Sequence, residues 1–184
     1  HGLRVHIDGA RIFNAAVALG IEVSALTRNA DSVGFCLSKG LSAPVGSVLC
    51  GGKAFIAEAR HWRKAVGGGM RQCGVIAAAG IVALDEMVDR LAEDHANARR
   101  FAEGLVDIPG LAVDPDAFQT DIVYLDIVSE VLTALQLAGA LRERGVLMLP
   151  TGPKRLRAVA HYGIAAQDID RAIAVIAEVM ERAA

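Results

Sequence analysis

The stretch "DSVGFCLSKGLSAPVGSVLCGG" (residues 31–52) decides the fold of this chain, because two apolar runs flank a short polar loop. The runs "SVGFCL" (32–37) and "VGSVLCG" (45–51) have the length and composition of buried β-strands. The loop between them carries Lys39, which stands between a serine and a glycine. A solvated lysine needs no such small neighbours. We therefore expect Lys39 to lie at a sheet edge, partly desolvated, where the neutral amine can act as a nucleophile.

The segment upstream of this stretch predicts a strand followed by a helix. "LRVHID" (3–8) is β-rich and ends at Asp8, and "ARIFNAAVAL" (10–19) is helical in pattern and closed by Gly20. This strand–helix–strand order indicates a parallel or mixed sheet, whose strand ends carry the loops where chemistry usually takes place.

The segment downstream of residue 52 predicts mostly helices and then a smaller lobe. In the helix predicted for 53–66, an apolar stripe should face a core; it consists of Phe55, Ala59, Trp62 and Val66. A long helical region over about 72–105 then connects to an α+β lobe. The elements predicted in that lobe are strands at 121–127, 146–149 and 155–161 and helices at 130–145 and 167–182.

Composition limits the possible functions. A formal net charge of −2 over 184 residues gives no sign of a nucleic-acid partner or an anionic membrane. The most apolar run, 74–84, is too short to span a bilayer. The spacing of Cys36, Cys50 and Cys73 fits neither a zinc site nor a redox pair, so we expect reduced core cysteines in a cytoplasmic protein.

A nucleotide site is disfavoured. The strand–loop–helix context of "SVLCGGKA" (47–54) is right for a phosphate-binding loop. However, Ser47 stands where that loop needs glycine, and Ala54 stands where it needs serine or threonine.

Asp8 and Lys39 follow two neighbouring strands and are 31 residues apart. Asp8 alone could simply cap the helix that follows, and Arg11 could be an ordinary ion-pair arginine. Together, a carboxylate and a lysine at adjacent strand ends suggest pyridoxal phosphate, which needs a lysine amine and an acid on its pyridine nitrogen. Spacing alone leaves this a hypothesis.

Three motifs in order carry the hypothesis further. "HIDGARIFNAAV" (6–17), "DSVGFCLSKGLSAPVGSVL" (31–49) and "RKAVGGGMRQCGVIAAAGIVAL" (63–84) closely resemble the low-specificity L-threonine aldolase family. That family belongs to the fold-type-I pyridoxal-phosphate enzymes and is related to the β-eliminating lyases. The strand "RAVAHYGI" (157–164) resembles the arginine-containing strand of the family's small domain.

The resemblance implies an α/β fold, namely the C-terminal portion of the fold-type-I, aspartate-aminotransferase-like fold. Residues 1–87 would end the large cofactor-binding domain, and 88–184 would form the connecting helix and the small α+β domain. The family's chain extends upstream, so a missing N-terminal half should carry further strands, the phosphate-binding loop and a ring-stacking histidine. We expect the chain alone to be inactive.

The resemblance also implies the roles of individual residues. Lys39 forms the Schiff base with pyridoxal 5'-phosphate, Asp8 pairs with the pyridinium nitrogen, and Arg11 helps to hold the cofactor near its phenolic oxygen. Arg157 binds the substrate carboxylate with its planar fork. Arg155 lies two residues away on the same strand face, so the alternative register stays open.

Two further cations belong to the motif around the three glycines. The resemblance implies that Lys64 and Arg71 approach an active site, either that of this chain or that of a neighbouring subunit, and a structural or interface role for Lys64 is an equal alternative. Ala160 and Gly163 replace the threonine and aspartate usual in the family, which affects substrate preference and local packing rather than the cofactor.

The implied activity is cleavage of the Cα–Cβ bond of threonine or allo-threonine to glycine and an aldehyde. The alternatives are a β-eliminating lyase, a phenylserine-type aldolase of the same fold, and an inactive fragment or oligomerisation domain. The implied partners are a small amino-acid substrate, the missing N-terminal half, and further copies in a homodimer or homotetramer.

Overall fold

The computed structural model describes residues 1–183, and the chain divides into two compact units after Leu91. The assignment of 1–87 and 88–184 to two named domains of a larger enzyme stays a prediction. No helix within the described residues combines the length and apolar character needed to cross a membrane.

The first unit contains a small mixed sheet with helices. Its elements are β1 (His6–Asp8), α1 (Ile12–Leu19), α2 (Val23–Thr27), β2 (Ser32–Cys36), β3 (Ser47–Gly51), α3 (Lys53–Ala65) and α4 (Gly74–Glu86). The strand order is β1-β2-β3, with β1 parallel to β2 and β2 antiparallel to β3. The predicted mixed sheet, in which the Asp8 strand neighbours the strand before Lys39, is therefore confirmed.

Hydrogen bonds at both ends hold the short strand β1 in register with β2. At the amino end, Asp31 accepts a bond from the Val5 N–H at 2.8 Å and pairs with Arg4 at 2.6 Å. Both bonds lower the pKa of Asp31, and the hydrogen bond from Val5 has the larger effect. At the carboxyl end, the Gly9 N–H donates to the Gly34 carbonyl at 2.7 Å. A Cβ on Gly9 would lie 3.1 Å from that oxygen, so glycine permits the close approach.

The loop that carries Lys39 is anchored in the core of the first unit. The buried side chains of this core are Leu37, Leu41, Ala43, Ala83 and Leu91. Gly40 is buried, and a Cβ there would lie 2.8 Å from Leu91 Cδ2 and 3.0 Å from Asn14 Oδ1. The glycine beside Lys39 is thus required by packing beneath the loop.

The apolar stripe of α3 does not face a core, contrary to the expectation from its spacing. No residue of Lys53–Ala65, all of which the structure describes, is buried. Phe55, Trp62 and Val66 are 44%, 58% and 80% exposed, and Ala59 is only partly buried. The helical spacing of these residues correctly identified an apolar face of α3. Spacing alone cannot show whether another apolar surface is present to cover that face.

The predicted helix over 72–105 is two helices. It is interrupted by a turn between Glu86 and Leu91, the first residue of α5 (Leu91–Leu105), and Leu91 is fully buried in the first unit's core. The cysteines also differ from expectation, since Cys50 and Cys73 are exposed and Cys36 is half-buried, all as free thiols.

The second unit is an α+β structure. After α5 its elements are β4 (Leu111–Ala112), a short 3₁₀-helix (Pro115–Ala117), β5 (Ile122–Ile127), α6 (Ala134–Arg142), β6 (Leu149–Gly152), β7 (Arg155–Val159) and α7 (Ala166–Ala183). Its sheet is antiparallel in the order β4-β5-β7-β6. The strand predicted at 146–149 lies later in the chain, since the run begins to pair only at Leu149.

Alternation along β5 and β7 divides the sheet into two faces. Val123, Leu125 and Leu156 are almost completely buried in a core shared with residues of α5, α6 and α7. The intervening residues point away from that core; they include Tyr124, Asp126, Arg155 and Arg157. This outer face therefore carries the charged side chains of the sheet, among them the exposed Arg155.

Replacing Gly40 tests how firmly the Lys39 loop is anchored. Gly40→Ala inserts a methyl group into space occupied by Leu91 and Asn14, and we expect overpacking to destabilise the chain by about 1–3 kcal/mol. Urea unfolding followed by circular dichroism measures the change. Gly74→Ala is the control, because a Cβ there meets nothing within 4 Å. Equal stability of the two variants would contradict this account of the loop.

Candidate functional site

The carboxyl edge of the first unit's sheet brings together the ends of β1 and β2. Asp8 is the last residue of β1 and pairs in register with Gly34 of the parallel strand β2, which leads into the Lys39 loop. Asp8 is exposed, and its Oδ1 accepts a bond from the Ala10 N–H at 3.3 Å. The residue at the N-cap of α1 is Arg11, so Asp8 stabilises the turn before the helix rather than capping it.

Lys39 is exposed, which corrects the expectation that it is partly desolvated. The loop beneath it is ordered by the Leu37 N–H bonding the Gly46 carbonyl at 3.0 Å and the Ala43 N–H bonding the Leu37 carbonyl at 3.0 Å. Within residues 1–183, no hydrogen bond or ion pair joins Lys39 to Asp8. An anchored loop thus presents an exposed amine at the same sheet edge as the exposed carboxylate of Asp8.

A flat strip of sheet extends from Asp8 along β1 and β2. His6 shares the face of Asp8, and its Nδ1 forms a 2.8 Å hydrogen bond with Ser32 Oγ, which ties the two strands together. Gly34 contributes no side chain to this strip. The space above it is open, because a Cβ there would meet only the His6 ring, at 3.9 Å. Sequence reasoning missed Ser32, which the parallel register alone brings opposite His6.

The remaining cations predicted in this unit differ in setting. Arg11 is half-buried at the start of α1. Lys64, in the last turn of α3, and Arg71, after the glycines, are exposed. Among the described residues no hydrogen bond or ion pair connects Lys64 or Arg71 to Asp8 or Lys39.

The two arginines of β7 have different partners. Arg155 makes a bidentate pair with Asp126, with Nε–Oδ1 at 2.6 Å and Nη2–Oδ2 at 2.7 Å. No hydrogen bond or ion pair within residues 1–183 engages Arg157, whose Nε is buried. Arg157 is therefore the arginine of this strand that is available to an anionic ligand. The alternation of "DIVYLDI" (121–127) was the signal that could have pointed to Asp126.

The residues at the carboxyl edge fit pyridoxal phosphate by their chemistry. Lys39 supplies an accessible amine, Asp8 an accessible carboxylate, and the side-chain-free Gly34 a flat surface beside that carboxylate. No cluster of side chains suited to a metal ion occurs among the described residues.

Comparison with known proteins supplies independent information. A family model described as Beta-eliminating lyase matches residues 1–128. Low-specificity L-threonine aldolase 1 of Arabidopsis thaliana is 44% identical over 181 residues, which cover 98% of this chain and 51% of that protein. The low specificity L-threonine aldolase of Escherichia coli K12 is 42% identical over 167 residues, covering 91% and 48% respectively.

A solved structure of a Leishmania major threonine aldolase has a similar backbone. The TM-score is 0.72 at 18% identity, over 98% of this chain and 53% of that one. The chain thus spans about half the length of the curated relatives it matches.

The Arg155–Asp126 pair predicts an acid titration. The hydrogen bonds from Arg155 lower the pKa of Asp126 below its ordinary value of 3.8. Because the folded-state pKa is lowered, the stabilisation from the pair is present above that ordinary value and is lost as the pH falls through the lowered one. Carboxyl ¹³C NMR should therefore give an Asp126 midpoint below 3.8.

Arg155→Gln should move the Asp126 midpoint upward, whereas Arg100→Gln, which disrupts a separate pair with Asp170, should leave it in place. If the Asp126 midpoint is unchanged in Arg155→Gln, another group must lower the pKa of Asp126.

Proposed function

The chain belongs to the β-eliminating lyase family, and from that premise we propose that it is the C-terminal half of a pyridoxal-phosphate-dependent aldolase. Its fold is the corresponding part of the fold-type-I architecture. The proposed reaction cleaves the Cα–Cβ bond of threonine or allo-threonine to give glycine and an aldehyde. The observation that carries the proposal is the parallel pairing of β1 and β2, which leaves Asp8 and the Lys39 loop at one sheet edge in a relative of threonine aldolases.

Lys39 and Asp8 are the proposed cofactor residues. Lys39 Nζ would hold pyridoxal phosphate covalently until the substrate's amino group displaces it. Asp8 would place its carboxylate beside the ring nitrogen and so keep a proton on that nitrogen. When bound, the cofactor supplies the electron sink that accepts the electron pair of the broken Cα–Cβ bond. Arg11, at the start of α1, would help to hold the cofactor on the side of its phenolic oxygen.

Arg157 is the proposed carboxylate-binding residue. Its guanidinium has no partner in residues 1–183, and its planar fork suits a carboxylate. Fixing the carboxylate orients the Cα–Cβ bond of the substrate, and such orientation is a main part of the rate gain. Lys64 and Arg71 are proposed to contact substrate in an assembled active site, since this chain leaves both exposed.

The whole enzyme is proposed to include an N-terminal half and to form a homodimer or homotetramer. Two features support this. β1 and β3 are the edge strands of the first unit's sheet, and native proteins usually cover or otherwise protect such edges. The unit also exposes an unusual set of large apolar side chains on and after α3; they are Phe55, Trp62, Val66, Met70, Val75 and Ile81.

We further propose a cytoplasmic location. The three cysteines are free thiols, two of them exposed. Exposed free thiols are typical of proteins that stay in a reducing compartment.

A substrate panel tests the reaction class. The intact enzyme is given threonine, allo-threonine, phenylserine and serine, and the products are scored as aldehyde plus glycine or as pyruvate plus ammonia. We expect aldehyde from threonine or allo-threonine. Pyruvate and ammonia from serine would identify a β-eliminating lyase instead, and preference for phenylserine would identify the aromatic-type aldolase.

Replacing Lys39 tests the cofactor anchor. In the intact enzyme, Lys39→Ala should abolish the visible absorbance of the bound cofactor and nearly all cleavage, because the covalent tether is lost. Lys53→Ala is the control, since Lys53 is also an exposed lysine and lies at the start of α3. Full activity of Lys39→Ala would exclude Lys39 from this role.

A further inference from the structure

The outer face of the second unit's sheet presents two arginines, of which Arg155 is exposed and Arg157 is half-buried, and the two have different residues opposite them. Arg155 and Arg157 are two residues apart on β7 and point to the same side. Across the strand pair, Arg155 lies opposite Asp126, and Arg157 lies opposite Tyr124. A carboxylate therefore engages the first arginine, and an aromatic ring with a hydroxyl group faces the second.

Without Asp126 this face would offer two competing sites for a carboxylate. Each guanidinium can bind a carboxylate through two parallel hydrogen bonds. Residues two apart in a strand are separated by about 7 Å, so the two sites would hold an anion at clearly different positions. In the structure Asp126 already accepts hydrogen bonds from two donors of Arg155, from Nε at 2.6 Å and from Nη2 at 2.7 Å.

We propose that Asp126 and Arg155 form a positioning pair that confines carboxylate binding on this face to Arg157. The inference rests on the proposed function, in which Arg157 binds the substrate's carboxylate. Neither member of the pair contacts substrate. Asp126 neutralises Arg155 and holds its fork against β5, so that the substrate meets a single guanidinium and adopts a single register.

Removal of Asp126 and removal of Arg155 should have different effects. Loss of Asp126 frees Arg155 to take the carboxylate, which places the substrate about 7 Å out of register. Loss of Arg155 leaves Asp126 as an unpaired carboxylate diagonal to Arg157, where it competes with the substrate for that guanidinium. When both Asp126 and the Arg155 guanidinium are removed, Arg157 is again the one arginine of this pair that can bind a carboxylate.

The chain contains a matched control pair. Arg100 and Asp170 form the same bidentate arrangement, at 2.6 Å and 2.7 Å, between α5 and α7. The side chains of Arg100 and Asp170 are 53% and 50% exposed, and those of Arg155 and Asp126 are 54% and 44% exposed. Arg100 lies on α5 and not on β7 beside Arg157, so its release should not affect Arg157.

Binding of acetate to the 184-residue chain tests the inference without any catalysis. The Nε–H signals of Arg155 and Arg157 are followed by ¹⁵N NMR as acetate is added. In the parent chain only the Arg157 signal should shift. In Asp126→Asn both signals should shift, and in Asp170→Asn the response should match the parent. Equal shifts of both signals in the parent chain, or an unresponsive Arg155 in Asp126→Asn, would overturn the inference.

Steady-state kinetics of the intact enzyme provide the second readout. Asp126→Asn should lower kcat and KM together, by about twofold if the two arginines bind the carboxylate equally well, because non-productive binding at Arg155 competes with productive binding at Arg157. Arg155→Gln should raise KM, and the double variant should return both constants towards the parent values. A double variant no better than Asp126→Asn would overturn the inference. Absence of cleavage in the parent enzyme would reject the proposed function, while the acetate result would still decide the role of the pair.

Discussion

The parallel pairing of β1 with β2 is the interaction on which the first unit and its candidate site depend. β1 has only three residues, too few to persist without a neighbour. Asp31 secures its amino end, and the contact between Gly9 and Gly34 secures its carboxyl end. Because parallel strands end at the same edge, this pairing brings Asp8 and the Lys39 loop, far apart in sequence, to one place.

The two units differ in how completely they bury their apolar surface. The second unit has an extensive core between its sheet and α5, α6 and α7, and its outer sheet face carries the charged side chains of Asp126, Arg155 and Arg157. The first unit has a small core beneath the Lys39 loop and leaves the apolar stripe of α3 in solvent. Exposed apolar side chains often mark an interface, which is the basis for the proposal that the stripe is covered in the whole enzyme.

Local patterns predicted what short-range physics controls. The mixed sheet, the helix closed by Gly20 in the left-handed conformation, and the alternation along β5 all followed from periodicity and turn chemistry. The predictions that failed needed knowledge of distant neighbours. The burial of the α3 stripe, the desolvation of Lys39 and the continuity across 72–105 each depend on which surfaces are present to pack against them.

The sequence by itself determined the residue types and order of the candidate site. Its motifs contain Asp8, Lys39 and the glycines around them, and both local chemistry and family resemblance identify these motifs. Only the tertiary structure decided how they are used. It showed that Gly40 serves packing against Asn14 and Leu91, and that Asp126 engages Arg155 while leaving Arg157 free. The reason is physical: strand register and side-chain packing join residues whose separation along the chain carries no local signal of their contact.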